Sequence, residues 1–349
     1  MSDIIPFEMQ VEIMKRLPVK SLVTFRSVSK AWKSVIDSRR FITNQTNMRR
    51  HHRLLLRNVP LSLEQLTELE TVGTSLGLLC LSGIYRVGDC YKKTAVIWNP
   101  SLTKSVAIDI PYQHKRSSVT SIGFGVRPDN CDPMIVRVSL LERPCRVMVF
   151  TLRSRVWRAP RGNLLPESID FTFSCPTATD DRCIYWKGYN RGTGINLVVV
   201  FDMVSEVFTE INLPRSVAHQ YYQDFSISTI KDSLALLEYY DDAKKPVCDV
   251  WMMVEDGVSK SFTKLFTVNT PDPSLMTKVL GFRMNYQPVV ETTKRWPSTS
   301  VEVYEPQTGT VKNLGINVEH GSFFCCSYTE TLLLLDQLDG QFIEIQMQL

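Results

Sequence analysis

The side chains that could perform catalysis or bind a metal are scattered along this 349-residue sequence. No two of the five histidines are four residues apart, the spacing that places two imidazoles on one helical face to bind zinc. The nine cysteines include no pair separated by two residues, as a zinc knuckle or a redox motif requires. Phosphate-binding Gly-Lys-Ser/Thr loops and the Gly-x-Ser-x-Gly turn are absent too. We therefore expect no catalytic residue, no metal and no cofactor.

Two pairs of adjacent acids, Asp180-Asp181 and Asp241-Asp242, are the remaining candidates for a cation site. Each pair lies between strand-like segments, where Asp commonly serves a turn, so we interpret both as turn residues. The odd number and irregular spacing of the cysteines indicate reduced, mostly buried thiols, as in cytoplasmic or nuclear proteins. The N-terminus has no signal-peptide pattern, and no apolar run approaches the length of a bilayer span. We expect a soluble protein without a membrane partner.

Apolar residues recur at helical spacing between Ile5 and Phe41, which predicts three short helices. Pro18 would end the first helix, because it lacks an N–H and restricts the residue before it. Ser29 is a suitable N-cap for the third. The apolar residues of the three helices are Met9, Ile13 and Leu17, then Leu22 and Phe25, and finally Trp32, Val35 and Ile36.

This N-terminal unit is too small to bury so many large apolar side chains by itself. Residues 1–59 also hold 12 Lys or Arg against 4 acidic residues, whereas the rest of the chain has a net charge of −4. An apolar patch bordered by cations is typical of a docking face for an acidic, helical partner. The alternative is that these residues only pack a helical cap onto the larger domain.

The same residues resemble the F-box motif, in the form that it takes in the large plant F-box family. The resemblance lies in residues 12–22 (EIMKRLPVKSL), 25–30 (FRSVSK), 32–36 (WKSVI) and Phe41, with Gln10 where many F-boxes carry Leu. It implies binding to a Skp-type adaptor and, through it, to cullin and RING subunits of a ubiquitin ligase. The adaptor contacts that it implies are Ile5, Pro6, Met9, Ile13, Leu17, Pro18 and Leu22, with Val28, Trp32, Val35 and Ile36 completing the helical unit and part of the contact.

Beyond about residue 70 the pattern changes to short runs rich in Val, Ile, Leu and aromatic residues, which predicts strands. The strands with the strongest pattern are 77–83, 94–100, 120–126, 146–152, 183–189, 197–203, 233–240, 248–254, 300–306 and 331–336. Five of them carry an aromatic residue that repeats at intervals of 52, 51, 50 and 53 residues, namely Trp98, Phe150, Phe201, Trp251 and Tyr304. A polar turn and another short strand follow each aromatic residue, which predicts five hairpins.

A multi-stranded repeat of about fifty residues is typical of a β-propeller of kelch-like pitch. The Gly-Gly doublet of kelch blades is missing, but residues 73–81, 96–111 and 121–126 resemble the plant F-box-associated domain. We therefore predict an α+β multidomain chain, with an F-box at 1–45, a linker or closing segment at 46–70, and an F-box-associated all-β domain at 71–349. That domain would be a propeller of five to six blades, with segments near residue 55 and at the C-terminus closing it. A two-sheet sandwich is the rival fold.

These expectations make the chain a non-catalytic subunit that holds an unknown protein substrate near a conjugating enzyme, so that transfer becomes nearly intramolecular. Propellers usually bind through loops at one face, and we predict such loops at 86–93, 127–133, 188–194 and 241–247.

The main alternative function is nucleic-acid binding by the basic N-terminal region. It is weakened because Phe25, Trp32 and Phe41 fall on apolar helical faces, so nucleic acid is not an expected partner. A propeller enzyme would need converging acids or metal ligands, for which the sequence offers no set. Residues 49–53 suit a nuclear import signal or a solvated linker, so the compartment stays open between cytoplasm and nucleus.

Overall fold

The computed structural model describes residues 5–48, 53–57, 67–87, 90–111, 120–140, 145–162, 166–171, 178–219, 225–231, 233–242, 245–257, 259–269, 276–295, 298–319, 324–334, 341–343 and 346–347. The helices in these ranges are α1 (Phe7–Lys15), α2 (Val19–Phe25), α3 (Lys30–Ile36), α4 (Arg39–Met48) and α5 (Arg215–Ala218).

The strands are β1 (Arg53–Arg57), β2 (Thr67–Ser75), β3 (Leu78–Val87), β4 (Cys90–Asn99), β5 (Lys104–Asp109), β6 (Thr120–Val126), β7 (Pro133–Ser139), β8 (Val147–Thr151), β9 (Val156–Arg158), β10 (Ile169–Phe171), β11 (Ala178–Thr179), β12 (Cys183–Asn190), β13 (Ile195–Asp202), β14 (Phe208–Asn212), β15 (Phe225–Ile230), β16 (Ser233–Asp242), β17 (Lys245–Asp256), β18 (Ser259–Asn269), β19 (Met276–Phe282), β20 (Pro288–Arg295), β21 (Ser298–Glu305), β22 (Thr310–Glu319), β23 (Phe324–Tyr328), β24 (Gln341–Ile343) and β25 (Gln346–Met347).

The N-terminal helices begin and end where the sequence predicts. Pro6 precedes α1, and Pro18 separates α1 from α2 with a φ of −53° that suits the start of a helix. Ser29 caps α3, since its hydroxyl accepts a hydrogen bond from the Trp32 N–H at 3.1 Å. The fourth helix, α4, was not predicted because its sequence is polar and turns few apolar residues inward.

The rest of the chain forms a five-bladed β-propeller. The blades are antiparallel sheets in the orders β2-β3-β4-β5, β6-β7-β8-β9, β10-β12-β13-β14, β15-β16-β17-β18 and β19-β20-β21-β22, with β11 also paired to β12. First strands of neighbouring blades contact one another, as β2 contacts β6 and β15 contacts β19, so they line the centre of the ring. The propeller prediction is confirmed, and the two-sheet sandwich is wrong.

The five aromatic residues of the fifty-residue repeat occupy the third strand of successive blades, and each predicted hairpin is present. Five positions after the aromatic residue, four blades place a residue of positive φ in the turn to the fourth strand: Thr103, Arg155, Glu206 and Gly309. Only one of these is a glycine, so the sequence does not display this second repeating feature.

The middle strands of the blades are largely buried on both faces because blades pack against each other. Every residue of β7 and β8 is buried. Gly123 in β6 shows how tight this packing is: a Cβ atom there would lie 2.2 Å from the Trp186 ring of the next blade. Strands buried on both faces have continuous apolar sequences rather than alternating ones. Their positions could therefore be predicted from the sequence.

The ring is closed by a two-stranded sheet rather than by a sixth blade. In it β1 pairs antiparallel with β23, so the two closing segments predicted near residue 55 and at the C-terminus do pair. β23 also contacts β19 and β2, which places this sheet between the fifth and the first blade. The last strands, β24 and β25, add in parallel to the outer edges of β5 and β9.

The predicted strand at 331–336 is wrong. Residues 329–334 form an irregular segment with a turn at its end, and residues 335–336 lie outside the described residues. The side chains from Thr331 to Leu334 are nevertheless buried, and Leu334 has a φ of 68°. Instead of forming a strand, this apolar segment joins the helices to the propeller.

Candidate functional site

The helical unit exposes a set of large apolar side chains. Ile5, Met9, Ile13 and Val28, here called the exposed apolar set, each have between 48% and 60% of their surface accessible to solvent. Met9 and Ile13 lie four residues apart and so share one face of α1. Pro6 and Pro18 are exposed as well. Solvated apolar side chains at this density are typical of a surface that a partner covers.

The other predicted contact residues lie deeper. Leu17, Trp32 and Val35 are half-buried, whereas Leu22 and Ile36 are fully buried. The two buried residues pack in a core with Met14, Val19, Phe41 and Leu332. Leu22 and Ile36 therefore hold the helices together, and in this conformation they do not reach a surface on which an adaptor could contact them.

Gln10 has a role that the sequence did not reveal. Its amide oxygen accepts a hydrogen bond from the Trp32 indole N–H at 2.8 Å, and its amide N–H donates to the Ile5 carbonyl at 2.7 Å. Trp32 in turn packs on Phe25, with ring centroids 5.3 Å apart. A Leu at position 10 would leave the Trp32 indole N–H without this acceptor. Because Gln10 also bonds the Ile5 carbonyl, it connects the segment before α1 to the third helix.

The segment Tyr328–Leu334, here called the clamp segment, fastens the helical unit to the first two blades. Leu332 completes the core of the helices, while Leu333 and Leu334 lie in the core formed by the first and second blades. The Glu330 carboxylate accepts a hydrogen bond from the Val19 N–H at 3.3 Å, at the N-terminus of α2. This contact supplies a cap that Pro18, the residue at the N-cap position, cannot give.

Two residues of the first blade hold the clamp segment in place. Asn99 donates from its amide nitrogen to the Thr331 and Leu333 carbonyls at 2.9 and 2.6 Å. Gly77 approaches it so closely that a Cβ atom would lie 2.0 Å from the Thr329 carbonyl oxygen. Asn99 and Gly77 belong to the segments 96–111 and 73–81 that suggested the F-box-associated domain, so part of that sequence pattern reflects the attachment of the helices.

The helices contact one face of the propeller, at its first two blades. In each blade, the turns after the first and third strands point to one face and the loop after the second strand points to the other. Leu102 and Cys131, which lie in turns of the first kind, contact the helical unit. The predicted target-binding loop 127–133 is of this kind, so it lies on the face that the helices contact and is not part of a free binding face.

The other three predicted loops, 86–93, 188–194 and 241–247, lie where second strands end, and their described residues are at the opposite face; residues 88–89 and 243–244 lie outside the described residues. Each includes or borders an exposed tyrosine: Tyr91 lies in the first loop, Tyr189 in the second, and Tyr240 directly before the third. Tyr91 has 63% of its surface exposed. Tyrosine combines a rigid apolar ring with a hydroxyl and is common in protein interfaces. We call this surface the open face.

Buried charges of the propeller serve its structure. Glu206 is fully buried and receives hydrogen bonds from Arg127 at 3.2 Å and from Arg158 at 2.6 and 2.7 Å. Its burial raises the carboxyl pKa, but the hydrogen bonds and charges of Arg158 and the Arg161 N–H outweigh burial and hold the pKa below its usual value. This cluster joins the second blade to the third.

The two candidates for a cation site, Asp180-Asp181 and Asp241-Asp242, show no metal-binding arrangement. Asp180 is a turn residue, since its carboxylate accepts hydrogen bonds from the N–H groups of Arg182 and Cys183 at 2.7 and 2.5 Å. Within the described ranges, no group of three His, Cys, Asp or Glu side chains is placed to hold a metal ion. In the same part of the chain no helix has the length and apolar character needed to cross a membrane.

Comparison with protein-family models decides the family. Residues 28–334 match the F-box associated beta propeller domain, and residues 3–44 match the F-box domain. The chain belongs to the F-box-associated β-propeller family. The resemblances to the F-box and to the F-box-associated domain are thereby confirmed, and the five blades are those of an F-box-associated propeller.

Several relatives of this F-box-associated propeller protein come from Arabidopsis thaliana. A putative F-box protein is 26% identical over 75% of this chain and 70% of its own length. The F-box protein CPR1 is 27% identical over 76% of this chain and 73% of its own length. An F-box/kelch-repeat protein is 22% identical over 76% of this chain and 79% of its own length.

Proposed function

We propose that this F-box-associated propeller protein is the non-catalytic substrate-recognition subunit of a Skp–cullin–F-box ubiquitin ligase. The observation that carries the proposal is the exposed apolar set of Ile5, Met9, Ile13 and Val28, on a helical unit that matches the F-box model. A Skp-type adaptor covers this set and links the chain to the cullin and RING subunits. Burial of apolar side chains supplies the affinity, and the surrounding Lys and Arg side chains steer the encounter.

The open face binds the target protein. It lies across the propeller from the helices, so adaptor and target are held at the same time by one body, which raises the effective concentration of the target near the conjugating enzyme. The exposed tyrosines and the three loops next to them provide the contact area. The origin of the relatives supports a plant source, and we place the protein in the cytoplasm or the nucleus.

The test uses the full chain with Met9→Asp and Ile13→Asp together. Because both side chains are exposed, the folded protein keeps its thermal stability, whereas Skp-adaptor affinity falls by about a hundredfold or more. Leu314→Asp is the matched control, since Leu314 is an exposed apolar residue of the propeller. Unchanged adaptor capture by the double variant would refute the proposed docking surface.

Nucleic-acid binding remains the alternative. Phe41 is buried and Trp32 packs on Phe25 inside the helical unit, so these rings are not available for stacking on bases. Affinity for a generic duplex should then be weak and fall steeply with salt, while adaptor binding should survive moderate salt. An affinity for nucleic acid that exceeds the affinity for the adaptor at moderate salt would favour the alternative.

A further inference from the structure

A cleft of about 300 Å³ lies at the junction between the helical unit and the propeller. We call it the junction cleft. Its walls come from Asp37 at the C-terminus of α3, from α4, from the second blade and from the clamp segment. The lining residues are Asp37, Arg39, Ile42, Asn130, Cys131, Asp132, Pro133, Leu152, Arg153, Leu332, Leu333 and Leu334. Half of these side chains are apolar, so the cleft can enclose a small organic body.

The acidic and amide groups in the cleft are already engaged. Asp37 pairs with Arg26 through both oxygens, at 2.5 and 2.9 Å. Asn130 accepts a hydrogen bond from the Asp132 N–H at 2.9 Å. Asp132 itself accepts one from the Arg153 N–H at 3.0 Å. Burial raises the pKa of the Asp132 carboxyl, and this hydrogen bond and the nearby arginines offset part of that increase. Asp37 and Asn130 are thus used within the protein, whereas the Asp132 carboxylate interacts with Thr151 and with the charges of Arg127 and Arg153.

The positive charges of the cleft come from two arginines, Arg39 and Arg153. Arg39 and Arg153 both line the cleft, and among the described residues neither guanidinium group makes a hydrogen bond or a close ion pair; Arg153 feels only the charge of the Asp132 carboxylate. The carboxylate next to Arg39 is Asp129, whose pKa is lowered mainly by its hydrogen bond from Arg127 and slightly by Arg39. Since Asp129 is paired with Arg127 at 3.0 Å, Arg39 keeps its donors. The cleft thus combines an apolar wall with two guanidinium groups that can meet an anion.

We propose that the junction cleft binds a small organic anion, with an apolar body about the size of a bicyclic ring and one carboxylate or sulfonate group. The apolar body lies against Ile42, Leu152 and the leucines of the clamp segment, and the anionic group meets Arg39 and Arg153. Arg39 belongs to the helical unit and Arg153 to the second blade, so one ligand bridges the two. The bound anion therefore stabilises the attachment of the helices to the propeller, by mass action. This binding does not depend on the adaptor or on the target.

The probe for the test is 2-naphthoate, with 2-naphthylmethanol and 2-naphthylmethylamine as neutral and cationic analogues of the same shape. Calorimetric titration of the full chain should give a dissociation constant of roughly 0.1–1 mM for the anion, as its size permits. The alcohol should bind several-fold more weakly, and the amine should show no measurable binding. Equal binding of anion and alcohol, or no binding of the anion at about 10 mM, would overturn the proposal.

Arginine variants test which groups hold the anion. Arg39→Gln and Arg153→Gln should each weaken naphthoate binding by about three- to tenfold, because each removes one solvent-screened cation. Arg40→Gln is the matched control: Arg40 is the exposed neighbour of Arg39 on the same helix but does not line the cleft. If all three variants bind alike, the anion does not meet Arg39 and Arg153, and the proposal fails.

Cys131 reports where the probe binds. Its thiol lines the cleft, 3.1 Å from the Thr43 hydroxyl. Naphthoate should slow the alkylation of Cys131 by a small maleimide, measured by mass spectrometry of the peptide that contains it. Unchanged alkylation at a saturating naphthoate concentration would show that the anion binds elsewhere. Adaptor capture is measured separately, so failure here leaves the proposed ligase function standing.

Discussion

Replacing Leu332 by Ala should loosen the helical unit while leaving the propeller folded. Leu332 is fully buried and contributes to the core formed by Met14, Val19, Leu22 and Ile36. Removing the three outer carbons of a buried leucine costs the transfer free energy plus the cavity that remains, together about 2–5 kcal/mol. About 3 kcal/mol corresponds to a roughly 150-fold increase in the fraction of molecules whose helices have opened.

Native-state hydrogen exchange measures this opening directly. The amides of α2 should lose about a hundredfold of protection in the Leu332→Ala variant, whereas amides of β7 and β8 should keep theirs. Leu314→Ala is the control, since Leu314 is 36% exposed and its truncation should cost less than about 0.5 kcal/mol. Undiminished protection of α2 in the Leu332→Ala variant would refute the view that the clamp segment completes the helical core.

Three further predictions concern the contacts that shape the fold. Glu206→Gln should cost roughly 3 kcal/mol because Arg127 and Arg158 lose a buried anion. Because the pKa of Glu206 is depressed in the folded protein, the ionised carboxylate stabilises the fold above the unfolded pKa of about 4.3, and this stabilisation is lost as pH falls through the folded pKa. The melting temperatures of the wild-type protein and the Glu206→Gln variant should therefore converge in acid. Gly77→Ala should destabilise by about 2 kcal/mol or more, because its φ is +79° and the Thr329 carbonyl occupies the space of the Cβ; denaturant titration would show a lowered midpoint. Ser29→Ala should remove about 1 kcal/mol through the lost cap of α3, seen as faster exchange of the Trp32 amide, and Ser27→Ala is a control that leaves this cap intact.

The sequence predicted the propeller because its repeat is made of aromatic residues that all occupy the same structural position. Trp98, Phe150 and Phe201 each lie in the third strand of a blade, so packing demands recur every fifty residues. The sequence left the number of blades at five to six, because β1 and β23 have the pattern of blade strands, although within the described residues their strand pairing is with each other. Which strand pairs with which depends on contacts between distant parts of the chain.

The sequence also predicted the helical unit and its capping at Ser29, but it could not separate core from surface there. Helical periodicity places Ile13 and Leu22 on apolar faces alike, yet Ile13 is exposed and Leu22 is buried. The difference arises from residues that follow Tyr328, since the clamp segment covers one side of the helices and leaves the other free. Its apolar run, 331–334, reads as a strand because periodicity alone cannot distinguish a buried strand from a buried irregular segment.

The long sequence separation between the helices and Leu332 has a consequence for how the protein is made. The helices leave the ribosome well before the clamp segment, and they acquire the core residue Leu332 only 284 residues after the end of α4 at Met48. A nascent chain, or one cut short before the fifth blade is finished, therefore presents helices that lack a completed interior.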